Sequence, residues 1–260
     1  MHQLGYINEL LKKFKLERCR PTKNLKPIEN HELKTIKFDE TLYRSAIGNL
    51  LYLAICTRPD ILFSVNRAAR KNKNPTLEDW MNVEKILKYL KGTKNYGIKI
   101  SGNSNIKAYA DADYGGDTIT RKSTSGFLIM LGNSPTSWHS KLQHCVATST
   151  AEAEYYSISD CAKHGLWYMN VMKELGINNQ CISIYVDNKA AIYNCQNQSI
   201  NPKSKHIDIK YHHIRSLIKE NKVKLEYVKS EKNLADGFTK YLNGTKLSKF
   251  KENLLTEFTP

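Results

Sequence analysis

The stretch IKAYADADYGGDTITRKSTSGFLIML, residues Ile106–Leu131, decides the fold. Its apolar residues repeat with a period close to two on either side of a glycine-containing segment, which is the pattern of antiparallel strands joined by a turn. The runs that share this pattern are Tyr96–Ser101, Ile106–Ala112, Thr124–Leu131 and a shorter one at Cys145–Ala147. Gly-Asn and Gly-Gly pairs and the Gly-Asn-Ser-Pro segment at 132–135 separate these runs as turns. The sequence therefore predicts an antiparallel meander.

Helical patterns return after the meander. A long helix is predicted from Thr150 to Leu175, with Gly176 as its C-terminal stop. After it we predict, in order, strand Cys181–Asp187, helix Asn188–Gln196, helix Ile207–Glu220, strand Lys222–Val228 and one or two helices from Asn233 onward. A strand reached from a meander across a long helix can lie parallel to its partner. The expected fold class is therefore α/β, with a mixed sheet and helices packed on it.

The residues before the meander are helical in pattern. Apolar residues from Leu4 to Phe14 recur at helical spacing, and a proline-containing connection follows from Cys19 to Phe38. Three further helices are predicted over Leu42–Cys56, Pro59–Lys71 and Thr76–Gly92. The last begins with Thr76 as N-cap and Asp79 three residues later, a capping-box arrangement. Residues 40–92 therefore form a small helical unit.

The charge of the chain is high and uneven. Its 260 residues carry a net charge of +15, which points to a polyanionic partner and leaves an anionic membrane surface as the rival. Residues 1–100 carry 20 Lys and Arg against 10 Asp and Glu, residues 101–200 carry 7 against 8, and residues 201–260 carry 13 against 7. The flanks could hold the phosphates of a nucleic acid, while the middle is free to hold cations.

The sequence argues against a membrane or secreted protein. The longest apolar stretch, Ile47–Cys56, is far shorter than the roughly 20 residues that span a bilayer. We find neither a secretory signal nor a lipidation motif, so we expect an intracellular protein without a membrane partner. The 6 cysteines occur singly and match no zinc pattern, so we expect reduced thiols.

Four acidic residues are candidates for one site. Asp111 lies in the first strand of the meander, Glu154 in the first turns of the long helix, Asp187 at the end of a strand and Asp236 near a late helix. The carboxyl ends of strands are where open mixed sheets bind ligands. Carboxylates brought together repel one another, so protons or cations must neutralise such a cluster. Two Mg²⁺ ions in such a place could support phosphodiester cleavage.

Two of these assignments have competitors. Asp113 lies two residues along the same strand as Asp111 and shares its face, although it could instead stabilise the Gly115–Gly116 turn. Glu152 competes with Glu154, but residues two apart on a helix point to different sides, so only one of them should face the site.

Short strings along nearly the whole chain resemble the C-terminal part of the polyprotein of copia-type retrotransposons. In the family's order they are YRSAIGNLLYLAICTRPDI (43–61), YLKGT (89–93), YADADYGGD (109–117), RKSTSGF (121–127), STAEAEY (149–155), VDNKAAI (186–192), KHIDIKYHHIR (205–215) and LADGFTK (234–240). Tyr114 and Gly237 depart from the residues common at their positions in the family, but neither departure removes a carboxylate.

The resemblance implies an RNase H-like domain over residues 96–245, built on a five-stranded sheet of three antiparallel strands followed by parallel strands. Residues 1–95 would be the helical tail, or connection, of a reverse transcriptase, and residues 246–260 a C-terminal helix. The polymerase's own Tyr-x-Asp-Asp motif is not in the sequence, so this stretch alone is not expected to copy nucleic acid. Its partners would be the upstream polymerase part of the polyprotein and an RNA–DNA hybrid or other nucleic acid, in a cytoplasmic particle or the nucleus.

The resemblance also implies the chemistry. The domain would be an RNase H-type hydrolase that cuts the RNA strand of RNA–DNA hybrids, using Mg²⁺ or Mn²⁺, two ions in all. The catalytic and metal-binding positions fall on Asp111, Glu154, Asp187 and Asp236. Residues expected to contact substrate are Ser123, Ser149, Asn188, Lys205 and His213.

Alternatives to these assignments stay open at the level of sequence. His206, His212 and His213 lie near Asp208 but fit no standard zinc spacing, so they are read as ordinary surface or packing residues rather than as a site near substrate. An RNase H-like module that binds nucleic acid without cutting it, or an inactive retrotransposon remnant, is the alternative to the nuclease.

Overall fold

The computed structural model describes residues 1–103, 105–177, 181–197 and 213–258, and these divide into two compact units. One unit comprises residues 101–239 and the other residues 1–100 together with 240–260. The sequence placed domain boundaries at 95 and 245 and assigned 246–260 to a separate C-terminal helix. In the structure the C-terminal residues group with the N-terminal unit instead.

The unit of residues 101–239 is built on a mixed sheet. Within the described residues it has five strands, which are β2 Ile106–Asp113, β3 Thr124–Leu131, β4 Ser134–Leu142, β5 Ile182–Val186 and β6 Val223–Tyr227. Their order across the sheet is β4-β3-β2-β5-β6. β2 pairs antiparallel with β3, and β3 with β4, whereas β5 pairs parallel with both β2 and β6. Three antiparallel strands followed by parallel strands, with helices on the sheet, confirm the predicted α/β fold class with a mixed five-stranded sheet.

Helices cover the sheet and follow its strands. They are α5 Thr150–Glu174, α6 Lys189–Gln196 and α7 at residues 213–219. Apolar residues of α5, such as Tyr155 and Ile158, share one buried cluster with Ala108 of β2 and Ile184 of β5. Because alternate residues of β2 and β5 are buried in this way, their other face carries Tyr109 and the stacked ring of Tyr185.

The other unit is mainly helical. Its helices are α1 Leu4–Lys13, α2 Glu40–Cys56, α3 Leu62–Ala69, α4 Leu77–Gly92 and α8 Gly244–Leu254. The capping box predicted at Thr76 and Asp79 is present at the start of α4. A buried guanidinium, Arg58, donates twice to Asp60 and also to Thr93, tying the segment after α2 to the end of α4. The predicted small helical unit is therefore confirmed over residues 40–92.

Two strand predictions are wrong. Residues 145–147 form no strand, and the third antiparallel strand is β4, which includes the Ser-Pro segment that the sequence assigned to a turn. Pro135 is tolerated there because β4 is an edge strand and its register shifts at Met130. The predicted strand Tyr96–Ser101 shrinks to β1 Tyr96–Gly97, which pairs antiparallel with β7 Thr256–Glu257 in the helical unit.

Two observations concern membrane-spanning helices and cysteines. Among the described residues, no helix has both the length and the apolar character needed to cross a bilayer. The cysteines at 19, 56, 145, 161, 181 and 195, all of them described, are free thiols.

Candidate active site

Three carboxylates from remote parts of the chain meet at one edge of the sheet. In the described residues, Asp111, Asp187 and Asp236 each offer a carboxylate oxygen, and these oxygens lie within 4.8 Å of one another. Asp111 is the sixth residue of β2, and Asp187 directly follows β5. Because these two strands are parallel neighbours, their carboxyl ends lie at the same edge. The fold therefore brings together three of the four predicted acidic residues at close range.

The fourth predicted carboxylate, Glu154, lines a cleft that Asp187 also lines. It lies in the first turns of α5, and its side chain is largely buried. Together with Asp187 it lines a cleft of about 610 Å³ whose wall also includes Asp113, Tyr114 and Asn188. Glu154 is not among the three residues whose oxygens lie within 4.8 Å, so it stands next to that group rather than inside it.

The two competing acidic residues have local contacts. The carboxylate of Asp113 lies against Gly116, where an added Cβ would collide with it, so Asp113 packs on the turn after β2 while also lining the cleft. Glu152 accepts a hydrogen bond from the Thr148 amide at 2.7 Å, and its own amide donates to Ser149 Oγ at 3.2 Å. This reciprocal capping occupies Glu152, and Glu154 is the glutamate that faces the cleft.

Asp236 reaches the sheet because a short 3-10 helix, Leu234–Phe238, is fixed there. Asn233 begins this helix: its Oδ1 accepts from the Ala235 amide at 3.1 Å, and its Nδ2 donates to the Ala110 carbonyl at 2.9 Å. On the neighbouring strand, Gly126 leaves room for the end of the helix, because a Cβ there would lie 2.8 Å from Cβ of Phe238. Both contacts place Asp236 beside Asp111.

The start of α5 is fixed by a buried glutamine. Nε2 of Gln143 donates to Ser125 Oγ of β3 at 2.8 Å and to the Ala153 carbonyl of α5 at 2.9 Å. Ala153 directly precedes Glu154, so this amide fixes the helix turn that carries the fourth carboxylate. Neither Asn233 nor Gln143 was singled out from the sequence, because a lone amide carries no recognisable spacing.

The residues predicted to contact substrate fall into different environments. Ser123 is fully buried, and its hydroxyl accepts from the Gly115 amide at 3.1 Å, so it supports the turn. Ser149 is exposed and caps α5, and Asn188 caps α6 by accepting from the Ala191 amide at 3.0 Å while also lining the cleft. His213 is exposed at the start of α7, and Lys205 lies outside the described residues.

The rim of the cleft holds a cation that the sequence analysis did not single out. Lys189 lines the cleft directly after Asn188, and its Nζ lies 4.8 Å from the centroid of the Tyr227 ring. A cation above an aromatic face is attracted by the ring quadrupole, which limits where the ammonium group moves. The signal in the sequence that could have identified Lys189 was its position two residues after Asp187, a predicted metal ligand.

The donor set fits hard divalent cations. Carboxylate oxygens are the ligands that Mg²⁺ and Mn²⁺ prefer, and three acidic side chains at this spacing repel one another unless positive charge neutralises them. Among the residues that the structure describes, the group consists of three aspartate carboxylates. The chemistry of this cluster is that of a site for divalent metal ions.

Comparison with known proteins identifies the family. No protein-family model matches the chain. It is 34% identical over 264 residues to the retrovirus-related Pol polyprotein from transposon TNT 1-94 of Nicotiana tabacum, covering 97% of this chain and 20% of that protein. It is 37% identical over 260 residues to the Pol polyprotein from transposon RE1 of Arabidopsis thaliana, covering 98% of this chain and 18% of that protein.

Among solved structures the chain is similar to LC11-RNase H1 in complex with RNA/DNA hybrid. The TM-score is 0.40 at 15% identity, and the match covers 52% of this chain and 94% of that one. The chain spans about a fifth of the length of the curated relatives it matches. It belongs to the family of retrovirus-related Pol polyproteins from copia-type transposons, in which it carries an RNase H-like domain.

Proposed function

We propose that this chain is a metal-dependent endoribonuclease that cuts the RNA strand of RNA–DNA hybrids within a retrotransposon Pol polyprotein. The observation that carries the proposal is the convergence of Asp111, Asp187 and Asp236, whose carboxylate oxygens lie within 4.8 Å of one another. These residues come from positions 76 and 49 apart in the sequence, so local structure does not explain their meeting. Membership of the Pol polyprotein family supports the proposal that this cleavage takes place during reverse transcription.

In this proposal the four acidic residues together form the metal site. Asp111, Asp187 and Asp236 hold divalent cations, and Glu154 completes the ligand set from the wall of the cleft. Two such ions, Mg²⁺ or Mn²⁺, supply charge that stabilises the attacking and leaving oxygens of an in-line phosphoryl displacement. The protein's own contribution is position: rigid strand ends fix two carboxylates, and the Asn233-capped helix fixes the third.

Substrate binding is assigned to the rim. Lys189 is placed to neutralise a phosphate that approaches the cleft, and the exposed ring of Tyr227 limits the movement of its ammonium group. Asn188 offers an amide at the same wall, suited to a 2′-hydroxyl or base edge of the RNA strand. The excess of basic residues in 1–100 and 201–260 suits phosphate contacts that do not depend on sequence.

The partners follow from the family. The chain spans about a fifth of its relatives, so we propose that the polymerase part of the same polyprotein is its covalent partner and supplies the hybrid. In that arrangement residues 1–95 connect polymerase and nuclease. The proposed place of action is a cytoplasmic particle or the nucleus.

The test is cleavage of a hybrid. Purified chain is incubated with a 5′-labelled RNA–DNA hybrid, with single-stranded RNA and with duplex DNA, in Mg²⁺, in Mn²⁺ and in EDTA. We expect cuts in the RNA of the hybrid alone, and only with metal. Asp187→Asn, purified in the same way, should lose at least about 100-fold of the rate because a metal ligand loses its charge.

The matched control is Glu174→Gln, since Glu174 is exposed at the last residue of α5, away from the cleft. It should cut as the parent does. Hybrid binding without cleavage under either metal would refute the nuclease and favour a non-catalytic binding module. Equal cleavage by parent and Asp187→Asn would trace the activity to a contaminant.

A further inference from the structure

A buried hydroxyl joins the first carboxylate of the cluster to the segment that carries the last one. Thr239 Oγ1 donates a hydrogen bond to Asp111 Oδ2, across 128 positions of sequence. Thr239 has no exposed surface, and Asp111 is 3% exposed. The contact lies inside the unit of residues 101–239 and belongs to neither strand pairing nor helix capping.

The single proton of this hydroxyl has two candidate acceptors. Thr239 Oγ1 also lies 3.1 Å from the carbonyl oxygen of Asp236, but the Thr239 amide already donates to that carbonyl at 3.2 Å. A hydroxyl donates one hydrogen bond at a time, and a bond to an ionised carboxylate is roughly twice as strong as one to a neutral acceptor. The proton therefore goes to Asp111.

The methyl group of Thr239 fixes the direction of that hydroxyl. A Cβ added at Gly126 would lie 2.7 Å from Thr239 Cγ2, so the methyl packs directly on the glycine of β3. Gly126 is the register partner of Asp111. Because a β-branched side chain has few accessible χ1 rotamers, a methyl held on one strand aims the hydroxyl at the next one.

We propose that Thr239 is a positioning residue for the metal site: it orients the Asp111 carboxylate for cation binding and links it to the helix that carries Asp236. The inference rests on the proposed function, since it concerns the same carboxylates. Removing a hydrogen-bond partner of a metal-ligating group typically weakens metal affinity by about 10- to 100-fold.

The experiment measures metal binding without nucleic acid. Mn²⁺ and, separately, Mg²⁺ are titrated into the full chain by calorimetry, and melting temperatures are recorded in EDTA and in saturating metal. The variants are Thr239→Val, which keeps the shape and removes the hydroxyl; Thr239→Ser, which keeps the hydroxyl; and Thr239→Ala as a smaller second variant. The matched control is Thr57→Val, because Thr57 is a buried threonine of the other unit that donates to Gln3 Oε1 at 2.6 Å.

The expected result is a metal affinity about 10- to 100-fold weaker for Thr239→Val and Thr239→Ala, with Thr239→Ser close to the parent and Thr57→Val unchanged. A purely structural hydroxyl would lower the melting temperature in EDTA and leave metal affinity intact, which would overturn the inference. If the parent binds metal and cuts hybrid while both hydroxyl-free variants bind metal equally well, the inference fails and the proposed function stands. If the parent binds no metal, both fail.

Discussion

Asn233 Nδ2 donates a hydrogen bond of 2.9 Å to the carbonyl oxygen of Ala110, which directly precedes Asp111 in β2. This carbonyl lies just beyond the pairing of β2 with β5, which ends at Tyr109 and Tyr185. The amide therefore continues the sheet's hydrogen bonding with a side chain from 123 residues away. The same side chain caps the helix that carries Asp236, so one residue couples strand and helix at the carboxylate cluster.

Asn233→Ala should damage both stability and cleavage. The variant leaves the buried Ala110 carbonyl without this donor and removes the cap of the 3-10 helix, at a cost of about 1–3 kcal/mol in the free energy of unfolding. Urea unfolding gives the stability, and hybrid cleavage gives the activity. Asn243→Ala is the matched control: Asn243 caps α8 by accepting from the Lys246 amide at 3.0 Å. It should lose cap energy and keep full cleavage, so equal loss of activity in both variants would contradict this role.

Gly126→Ala should displace the helix that carries Asp236. Its new Cβ would lie 2.7 Å from Thr239 Cγ2 and 2.8 Å from Phe238 Cβ, and both of these residues are fully buried. Overpacking of this kind costs about 1–3 kcal/mol, and the strain falls on the segment that carries Asp236. Melting temperature and metal titration are the measurements.

The control for Gly126→Ala is Gly48→Ala. Gly48 lies within α2 with nothing within 4 Å of an added Cβ, so alanine there should stabilise by about 0.5–1 kcal/mol through helix propensity. Normal metal affinity in a folded Gly126→Ala protein would show that the close approach at β3 does not position Asp236.

Gln143→Met should loosen the start of α5. Methionine has a similar length but cannot donate, so Ser125 Oγ and the Ala153 carbonyl lose their bonds to Nε2. We expect a loss of about 1–3 kcal/mol in unfolding free energy and faster hydrogen exchange in the first turns of α5. Exchange mass spectrometry measures the second effect. Unchanged protection around Glu154 would argue against this role for Gln143.

Lys189→Ala should weaken hybrid binding without changing metal affinity. Loss of one phosphate contact lowers the slope of log affinity against log salt concentration by about one. The measurement is fluorescence anisotropy of a labelled hybrid in Ca²⁺ at several salt concentrations. Tyr227→Phe keeps the ring face below Nζ and should bind as the parent does, whereas Tyr227→Leu should resemble Lys189→Ala. The exposed Lys173 near the end of α5 serves as the alanine control, and an equal slope change there would refute a specific contact.

A histidine in the sheet should make stability depend on pH. Burial, reinforced by the charge of His164, lowers the pKa of His139 below its ordinary value, while Asp160 opposes the shift. The folded state then binds fewer protons than the unfolded state below about pH 6.5, so stability is fully present above that pH and is lost as the pH falls through the folded pKa. His139→Phe keeps a ring to stack on Phe127, which lies 5.1 Å away, and should melt with a shallower decline between pH 7.5 and 5. The exposed His31, changed to Phe, is the control and should leave the slope as it is.

Much of the fold follows from local patterns in the sequence, and its exceptions have physical causes. The capping box at Thr76 and the helix from Thr150 are local signals, and the structure has both. β4 was missed because Ser134 and Pro135 are typical of turns, and only the edge position of the strand, a tertiary fact, makes proline acceptable there.

The carboxylates of the candidate site could be predicted from the sequence, but the residues that position them could not. Convergence of Asp111, Asp187 and Asp236 was expected from the family resemblance, and one carboxylate oxygen of each lies within 4.8 Å of the others. Asn233 and Thr239 contact the strand that carries Asp111 through single hydrogen bonds to residues more than 100 positions away. No pattern of spacing in the sequence predicts such contacts. Sequence reasoning could single out the carboxylates because the chemistry of a metal site restricts its residue types, whereas the residues that position them depend on packing.

The central claim is that these three carboxylates hold divalent cations. The most direct measurement is anomalous diffraction at the manganese edge from crystals of the chain grown with Mn²⁺. We expect anomalous peaks within coordination distance of Asp111, Asp187 and Asp236, and their loss in Asp187→Asn crystals. Manganese peaks elsewhere on the protein, with none between these three side chains at saturating Mn²⁺, would contradict it.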